Sequence, residues 1–493
     1  MNPNLTRRNL LQGAAAAALA PQLSAQSSGS KKMIGIQIGA VSFVDEGVEK
    51  VLDILQERAY VNTLFLAVFT YGRGIAGRQL PNQPLPDHGA QKYDLDFHGG
   101  NYATVHSQYY QNTVLKDTRA PDHGDLDILA TVIPAAKKRG MKTICWLEDV
   151  FRSDLPNIQK LQEHDLYGRN AGTLCFNNPD HRNFLTGLVE DYTRSYEIDG
   201  LMWGSERQGA LGNALGAKHG GASSDPGRVT CFCQFCEKKA RQQGINFDRV
   251  REGYRALEKF VREGRAGKRP VDGSYVTFWR LLLRYPELAA WEMFWTDSLR
   301  ETYAALCGKV KSIKPQVPVG WHIWHNNSFS PIYRAEQDLQ ELSKYSDFLK
   351  VVIYHNCGGE RMASYINSVS QTIYGDIPKQ ELLMDFEYNV MSLRERSYEQ
   401  IPYTGLSSDY VYRETKRAID GAAGTKTLIW PGLDVDIPTG RNQSKSTPQG
   451  TKDAVLAAFK AGAPGVILSR KYSEMKLANL SGAGEAVKEL GFA

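Results

Sequence analysis

From residue 33 onward, short apolar runs rich in β-branched residues alternate with stretches whose apolar positions recur every three to four residues, the pattern of parallel strands wound with helices. Eight runs of strand length stand out, over 33–41, 61–69, 141–148, 199–206, 317–325, 348–355, 427–434 and 465–470. Between them Val48, Val51, Leu52 and Leu55 share one helical face, as do Leu129, Val132, Ile133 and Ala136, and Leu185, Leu188, Val189 and Tyr192. Eight such units predict a TIM (β/α)8 barrel ahead of an open doubly wound sheet. No Gly-x-Gly-x-x-Gly turn follows the first run, which argues against a dinucleotide-binding sheet.

Three connections are long, about 70–125, 207–280 and 356–426, lengths typical of lids, binding loops or small inserted units on a single domain spanning 33–493. The first carries His98-Gly99-Gly100-Asn101-Tyr102 and the third Asp385-Phe386-Glu387, where 382–388 reads equally as a ninth strand or a helix.

The predicted strands end in polar and aromatic residues: Trp146, Glu148 and Asp149 on the third, Trp203 and Glu206 on the fourth, Trp321, His322, Trp324 and His325 on the fifth, Tyr354, His355 and Asn356 on the sixth. In a barrel these ends converge at one mouth, where catalytic sites are built. Aromatic faces beside carboxylates suit a sugar, whose C–H faces stack on rings while its hydroxyls require polar partners.

Composition narrows the class. With 42% hydrophobic and 23% charged residues the chain of 493 is a folded globule, and its net charge of +5 is spread without the basic block that tracks a phosphate backbone. A nucleic-acid partner is not expected. The first residues are not part of the fold: Thr6-Arg7-Arg8-Asn9-Leu10-Leu11, the alanine-rich run from Ala14 to Ala20 and small residues around Ser24 and Ala25 make residues 1–26 a twin-arginine export signal. The run is shorter than the roughly 20 residues that span a bilayer, so the mature protein should use the Tat translocon, carry no membrane anchor and work in the periplasm or outside the cell.

Seven cysteines in an exported chain invite disulfides, but Cys231-Phe232-Cys233-Gln234-Phe235-Cys236 sets three thiols in six residues, too tight for independent bridges and suited to thiolates on one ion. A disulfide plus a free thiol, or an iron–sulfur cluster, are the alternatives. Structural zinc takes four ligands, and on residue type alone the fourth is open among Cys145, Cys175, Cys307 and Cys357.

Gly168-Arg169, Cys175-Phe176-Asn177-Asn178-Pro179-Asp180-His181-Arg182, Asp199-Gly200-Leu201-Met202-Trp203-Gly204-Ser205-Glu206 and Cys231-x-Cys233-x-x-Cys236 together resemble the β-galactosidases of glycoside hydrolase family 42. That resemblance, carried by about 70 residues, implies a structural zinc held by Cys175, Cys231, Cys233 and Cys236, and an acid/base glutamate at Glu206. The chain departs from the family in having Ser205 where the family has asparagine, in a longer spacing to the cysteine run, and in lacking a glutamate before Pro431-Gly432, where the family's nucleophile ends the seventh strand. Gly462-Ala463-Pro464-Gly465-Val466-Ile467-Leu468-Ser469-Arg470 resembles the family's eighth strand; little chain follows it, so the family's C-terminal domains and the trimer they help build are not expected.

The expected activity is therefore cleavage of a glycosidic bond by a carboxylate pair, with Glu206 as acid and Asp434 as partner, and Asp436 on the same strand face. Glu148, Asp149, Asp385 and Glu387 are further carboxylates to consider, and Trp203, Trp321, His322, Trp324, His325, Tyr354, His355, Glu148 and Asp436 are expected to line the sugar site. Two other readings keep the sugar: His322, His325 and His355 polarising a carbonyl or holding a catalytic metal for elimination or hydrolysis of an oxidised, keto-type sugar, or a barrel that binds carbohydrate without cleaving it.

Overall fold

The protein is described by a computed structural model covering residues 32–493 apart from 71–77, 80, 82, 95–97, 150, 152, 222 and 438–445. The export signal expected over 1–26 lies outside the described residues.

Eight strands form the barrel: β1 (Met33–Ile38), β2 (Thr63–Thr70), β3 (Lys142–Glu148), β4 (Gly200–Gly204), β5 (Val319–Ile323), β6 (Phe348–Val352), β7 (Leu428–Asp434) and β8 (Gly465–Ser469). Each pairs in parallel with the next, and β8 returns to β1, so the sheet closes. The TIM barrel predicted from the alternating pattern is therefore present, and residues Met33–Ala493 pack as one unit. The strands are shorter than the apolar runs, because the polar and aromatic residues at 205–206, 324–325 and 354–355 lie beyond the ladder.

Closure follows from what points inward. Phe65, Ala67, Ile144, Trp146, Met202, Phe348, Trp430 and Ile467 fill the barrel interior as a cluster separate from the main core. Trp430 stacks on Phe348 with ring centroids 4.3 Å apart, and Phe65 meets both edge-on. Such bulk on some strands needs small residues on their neighbours. A Cβ on Gly320 would stand 2.3 Å from the Phe348 ring.

Outside the barrel the crossover helices present the predicted apolar stripes, burying Val51, Leu52 and Leu55 from Val48–Ala59 and Leu185, Leu188, Val189 and Tyr192 from Pro179–Ser195. Asn178 caps the latter by accepting from the Asp180 N–H, with Pro179 at its first position. The long connection after β4 is helical in large part, with Gln234–Gln242, Phe247–Arg265 and Ser274–Arg284 preceding the crossover helix Glu287–Ile313. The stretch 382–388 lies in helix Gln380–Met391, not in a ninth strand. A two-stranded hairpin, Gln162–His164 with Asn170–Leu174, stands between β3 and β4 and delivers Cys175. Among the described residues no helix is long and apolar enough to cross a membrane.

Candidate active site

Glu206 follows β4 by two residues and so shares its inward phase with Met202 and Gly204. Its Oε1 lies 3.0 Å from Nε2 of His322, which sits in register with Gly204 on β5. The Glu206 side chain is 53% exposed at the mouth, whereas His322 beneath it is buried. Desolvation by the surrounding protein acts to raise the Glu206 pKa, but the His322 hydrogen bond and the charge of Arg361 outweigh it and hold the carboxyl below its ordinary range. Burial and the nearby Lys350 push His322 below the ordinary imidazole range, so a neutral ring donates from Nε2.

Glu148 ends β3, one strand away. Its Oε2 accepts from Thr70 Oγ1 at 2.7 Å. Burial raises its pKa to about 8, with the Glu206 charge adding to the effect and Thr70 opposing it. Lys350 lies fully buried inside the barrel on β6; its Nζ donates to Gln37 and, at 3.1 Å, to Tyr354 Oη, and sits 5.9 Å from the Trp146 ring centroid. Burial lowers it to about 7 against the pull of Glu206 and Glu148. The mouth thus holds an ionised, accessible carboxylate beside a buried one that keeps its proton at neutral pH.

Asp434 is placed differently from the expectation. It ends β7 fully buried, and both oxygens are engaged: Oδ1 accepts from the Asn356 N–H at 3.0 Å and Oδ2 from the Cys357 N–H at 2.8 Å, while His355 Nδ1 stands 2.9 Å from Oδ1. Burial acts upward on its pKa, but His355 and the two amides hold it below the usual range. Its carboxylate fastens the turn after β6. Asp436 likewise accepts from the Lys476 N–H and from Asn479 Nδ2, tying the start of helix Leu477–Glu489.

The expected aromatic platform divides. Trp203 and Trp321 point away from the mouth: Trp203 meets Phe176 and Tyr303, and Trp321 stacks on Tyr303 with centroids 4.4 Å apart and donates Nε1 to Tyr345 O. The reason is strand phase, since residues adjacent to the inward-facing Met202 and His322 must face the helices. Trp324 packs by His219 and Tyr333, and Tyr354 stays near the Lys350 amine. The three histidines do not form one ligand set: His322 serves Glu206, His355 stands by Asp434, and His325 lies between Tyr410 Oη and Arg361. Asp385 is exposed on its helix, and Glu387 is buried against Tyr365 Oη, both within the insertion after β6.

Asp149 holds Arg207, the neighbour of Glu206. Arg207 Nε donates to Asp149 Oδ2 at 2.7 Å, Nη1 lies 3.1 Å from Glu163, Nη2 donates to Leu174 O, and the guanidinium sits 4.0 Å over the Phe176 ring. Ser205 Oγ donates to the same Asp149 oxygen. Arg207 is thereby anchored to the segment that carries Cys175, and Ser205 shares its Asp149 partner.

That segment completes the thiol cluster. The sulfurs of Cys175, Cys231, Cys233 and Cys236 all lie within 4.8 Å of one another, and Cys175 is 3.5 Å from both Cys233 and Cys236. Tetrahedral ligands about 2.3 Å from a metal stand roughly 3.8 Å apart, so the set fits an ion. All seven cysteines are free of disulfides. Cys233 is the N-cap and Cys236 lies in the first turn of Gln234–Gln242, where the helix end favours negative sulfur. Phe232 stacks on Trp291 and fixes the knuckle, and Asn177 donates its backbone N–H to Cys175 and Nδ2 to Cys236.

No protein-family model and no curated protein matches the chain. Solved structures do. The chain is similar to the PgaB (BpsB) glycoside hydrolase domain from Bordetella bronchiseptica, at TM-score 0.50 and 12% identity over 93% of this chain and 98% of that one. It is similar to the β-galactosidase of the Antarctic haloarchaeon Halorubrum lacusprofundi, at TM-score 0.50 and 14% identity over 93% of this chain and 58% of that one. For α-L-fucosidase isoenzyme 2 from Paenibacillus thiaminolyticus the values are 0.48 and 12%, and the chain spans 49% of its length. At these identities the likeness is one of fold.

Proposed function

We propose that the protein is an exported glycosidase that cleaves a glycosidic bond with the carboxyl pair Glu206 and Glu148. The observation that carries this reading is the split between the two groups: the accessible Glu206 is held ionised by His322, and burial keeps the proton on Glu148 one strand away. Two carboxyl groups whose environments drive their proton affinities apart are what acid-assisted departure of a sugar oxygen requires. Glu148 donates to the leaving oxygen, and Glu206 acts on the anomeric carbon or on a water beside it. This exchanges the role that the family resemblance implied for Glu206, and it leaves Asp434 to shape the turn that carries His355. The fold shared with a glycoside hydrolase domain and a β-galactosidase supports the substrate class.

The cysteine cluster holds a structural zinc in this reading. Four thiolates leave no open position for substrate, so its contribution is to fix the segment beneath Arg207. Export rests on Arg7-Arg8 and the alanine run that follows them.

The test is release of sugar from a panel of aryl glycosides and natural oligosaccharides by the wild type, Glu206→Gln and Glu148→Gln. Hydrolysis that each variant loses by about a hundredfold or more supports the pair. Hydrolysis unaffected by either variant refutes it, and sugar binding without turnover replaces the enzyme with a binding barrel.

A further inference from the structure

Arg361 is held by a ring nitrogen in place of a carboxylate. It lies in the first turn of helix Gly358–Val369, after β6, and no carboxylate oxygen among the described residues forms an ion pair with it. Its Nη1 donates to His325 Nδ1 at 2.9 Å, and its guanidinium stands 5.6 Å from the Tyr354 ring centroid. Accepting at Nδ1 places the His325 proton on Nε2, which donates to Tyr410 Oη at 3.0 Å. Tyr410 donates to Ser328 Oγ at 2.8 Å, and Ser328 ends the relay on Glu414, a carboxylate already paired with Arg334 and Arg417. His325, Tyr410, Ser328 and Glu414 are all buried.

This relay fixes the orientation of Arg361 while supplying no countercharge. Its charge reaches the mouth, where it contributes to holding Glu206 ionised and adds to the burial that lowers the pKa of His219 and His325. Two further buried ring nitrogens, His219 Nε2 and His322 Nδ1, have no hydrogen-bond partner among the described residues. A guanidinium with N–H groups to spare is a fork matched to a planar oxyanion.

Resting on the glycosidase reading of the same site, we infer that the substrate is an anionic sugar, a glycoside whose ring carries a carboxylate or a sulfate ester gripped by Arg361. Neutral hexosides would leave the remaining N–H groups of Arg361 without an ion-pair partner, whereas a uronide or a sulfated sugar would supply one and be oriented by it.

The experiment pairs nitrophenyl hexosides with the matching uronides and 6-sulfates, on the wild type, Arg361→Gln and Arg361→Lys. The expected result is a higher kcat/KM for one anionic series, with the anionic-to-neutral ratio falling about tenfold to a hundredfold in Arg361→Gln, the range for a hydrogen bond to a charged group. Arg361→Lys should restore only part of the ratio, because it keeps the charge and loses the fork. The better anionic series tells carboxylate from sulfate. A wild-type preference for neutral sugars, or a ratio unchanged by the substitutions, overturns the inference. If nothing is hydrolysed, ligand-observed NMR with free uronic acids, sugar sulfates and neutral sugars separates the two readings. Anion-selective binding that Arg361→Gln loses keeps this inference and ends the glycosidase, and absence of such selectivity overturns it.

Discussion

Glu206 takes its hydrogen bond from His322, with Oε1 and Nε2 3.0 Å apart across the ends of β4 and β5. The donor is a neutral imidazole, so the pair is held by hydrogen-bond geometry, and the proton affinity of Glu206 depends strongly on that ring. His322→Phe keeps the bulk and removes the donor. Desolvation by the surrounding protein, which acts to raise the Glu206 pKa, is then opposed only by more distant charges. An acid limb that the wild type lacks should appear in the kcat/KM profile between about pH 4 and 6, around the ordinary carboxyl range. A variant profile as flat as the wild type down to about pH 4 would remove His322 from this role.

Glu148 carries the opposite sign. Its folded pKa of about 8 lies above the ordinary 4.5, so between those values the folded protein keeps a proton that the unfolded chain gives up. Stability from this group is therefore full below about pH 4.5 and declines as pH rises toward 8. Glu148→Gln retains an acceptor for Thr70 and removes the penalty. Its melting temperature should exceed that of the wild type by about 2–6 °C at pH 8 and by much less at pH 4.5, scaled from roughly 2–4 °C per kcal/mol in chains of 150–250 residues. Activity in the wild type should fall above about pH 8 for the same reason. Equal melting differences at both pH values would show that Glu148 carries no proton there.

The barrel was legible because its strands are uninterrupted apolar runs, and the thiol cluster because three cysteines in six residues have few other uses. The facing of the aromatic residues was not, since a strand buried on both sides offers no alternation from which to read its phase. Trp203 and Trp321 were misplaced for that reason, although taking Glu206 as inward would have set Met202 and Gly204 inside and Trp203 out. Lys350 left a usable signal, a lysine amid Phe348, Leu349, Val351 and Val352. Its place inside the barrel depends on Gly432, where a Cβ would stand 2.5 Å from Lys350 Cε. Arg361 left none, because its partner His325 belongs to the preceding connection and meets it only through folding.

Removal of the metal should reach the active site through Arg207. The purified protein, kept from chelators, is expected to hold about one zinc per chain, and Cys233→Ser to lose most of it. Without the ion the four sulfurs repel as thiolates or take up protons, and the segment that carries Leu174 O and Phe176 loses its tether. Arg207 then holds Asp149 and Glu163 less firmly, and the backbone beside Glu206 loosens with it. The expected result is a melting temperature lowered by several degrees and a kcat that falls more than KM rises, read by metal analysis, thermal melts and steady-state kinetics on the same preparations. Native protein that contains no zinc, or in which Cys231 and Cys233 are joined as a disulfide, would end this account. A zinc-free variant with unchanged kcat would confine the metal to the knuckle and detach it from Glu206.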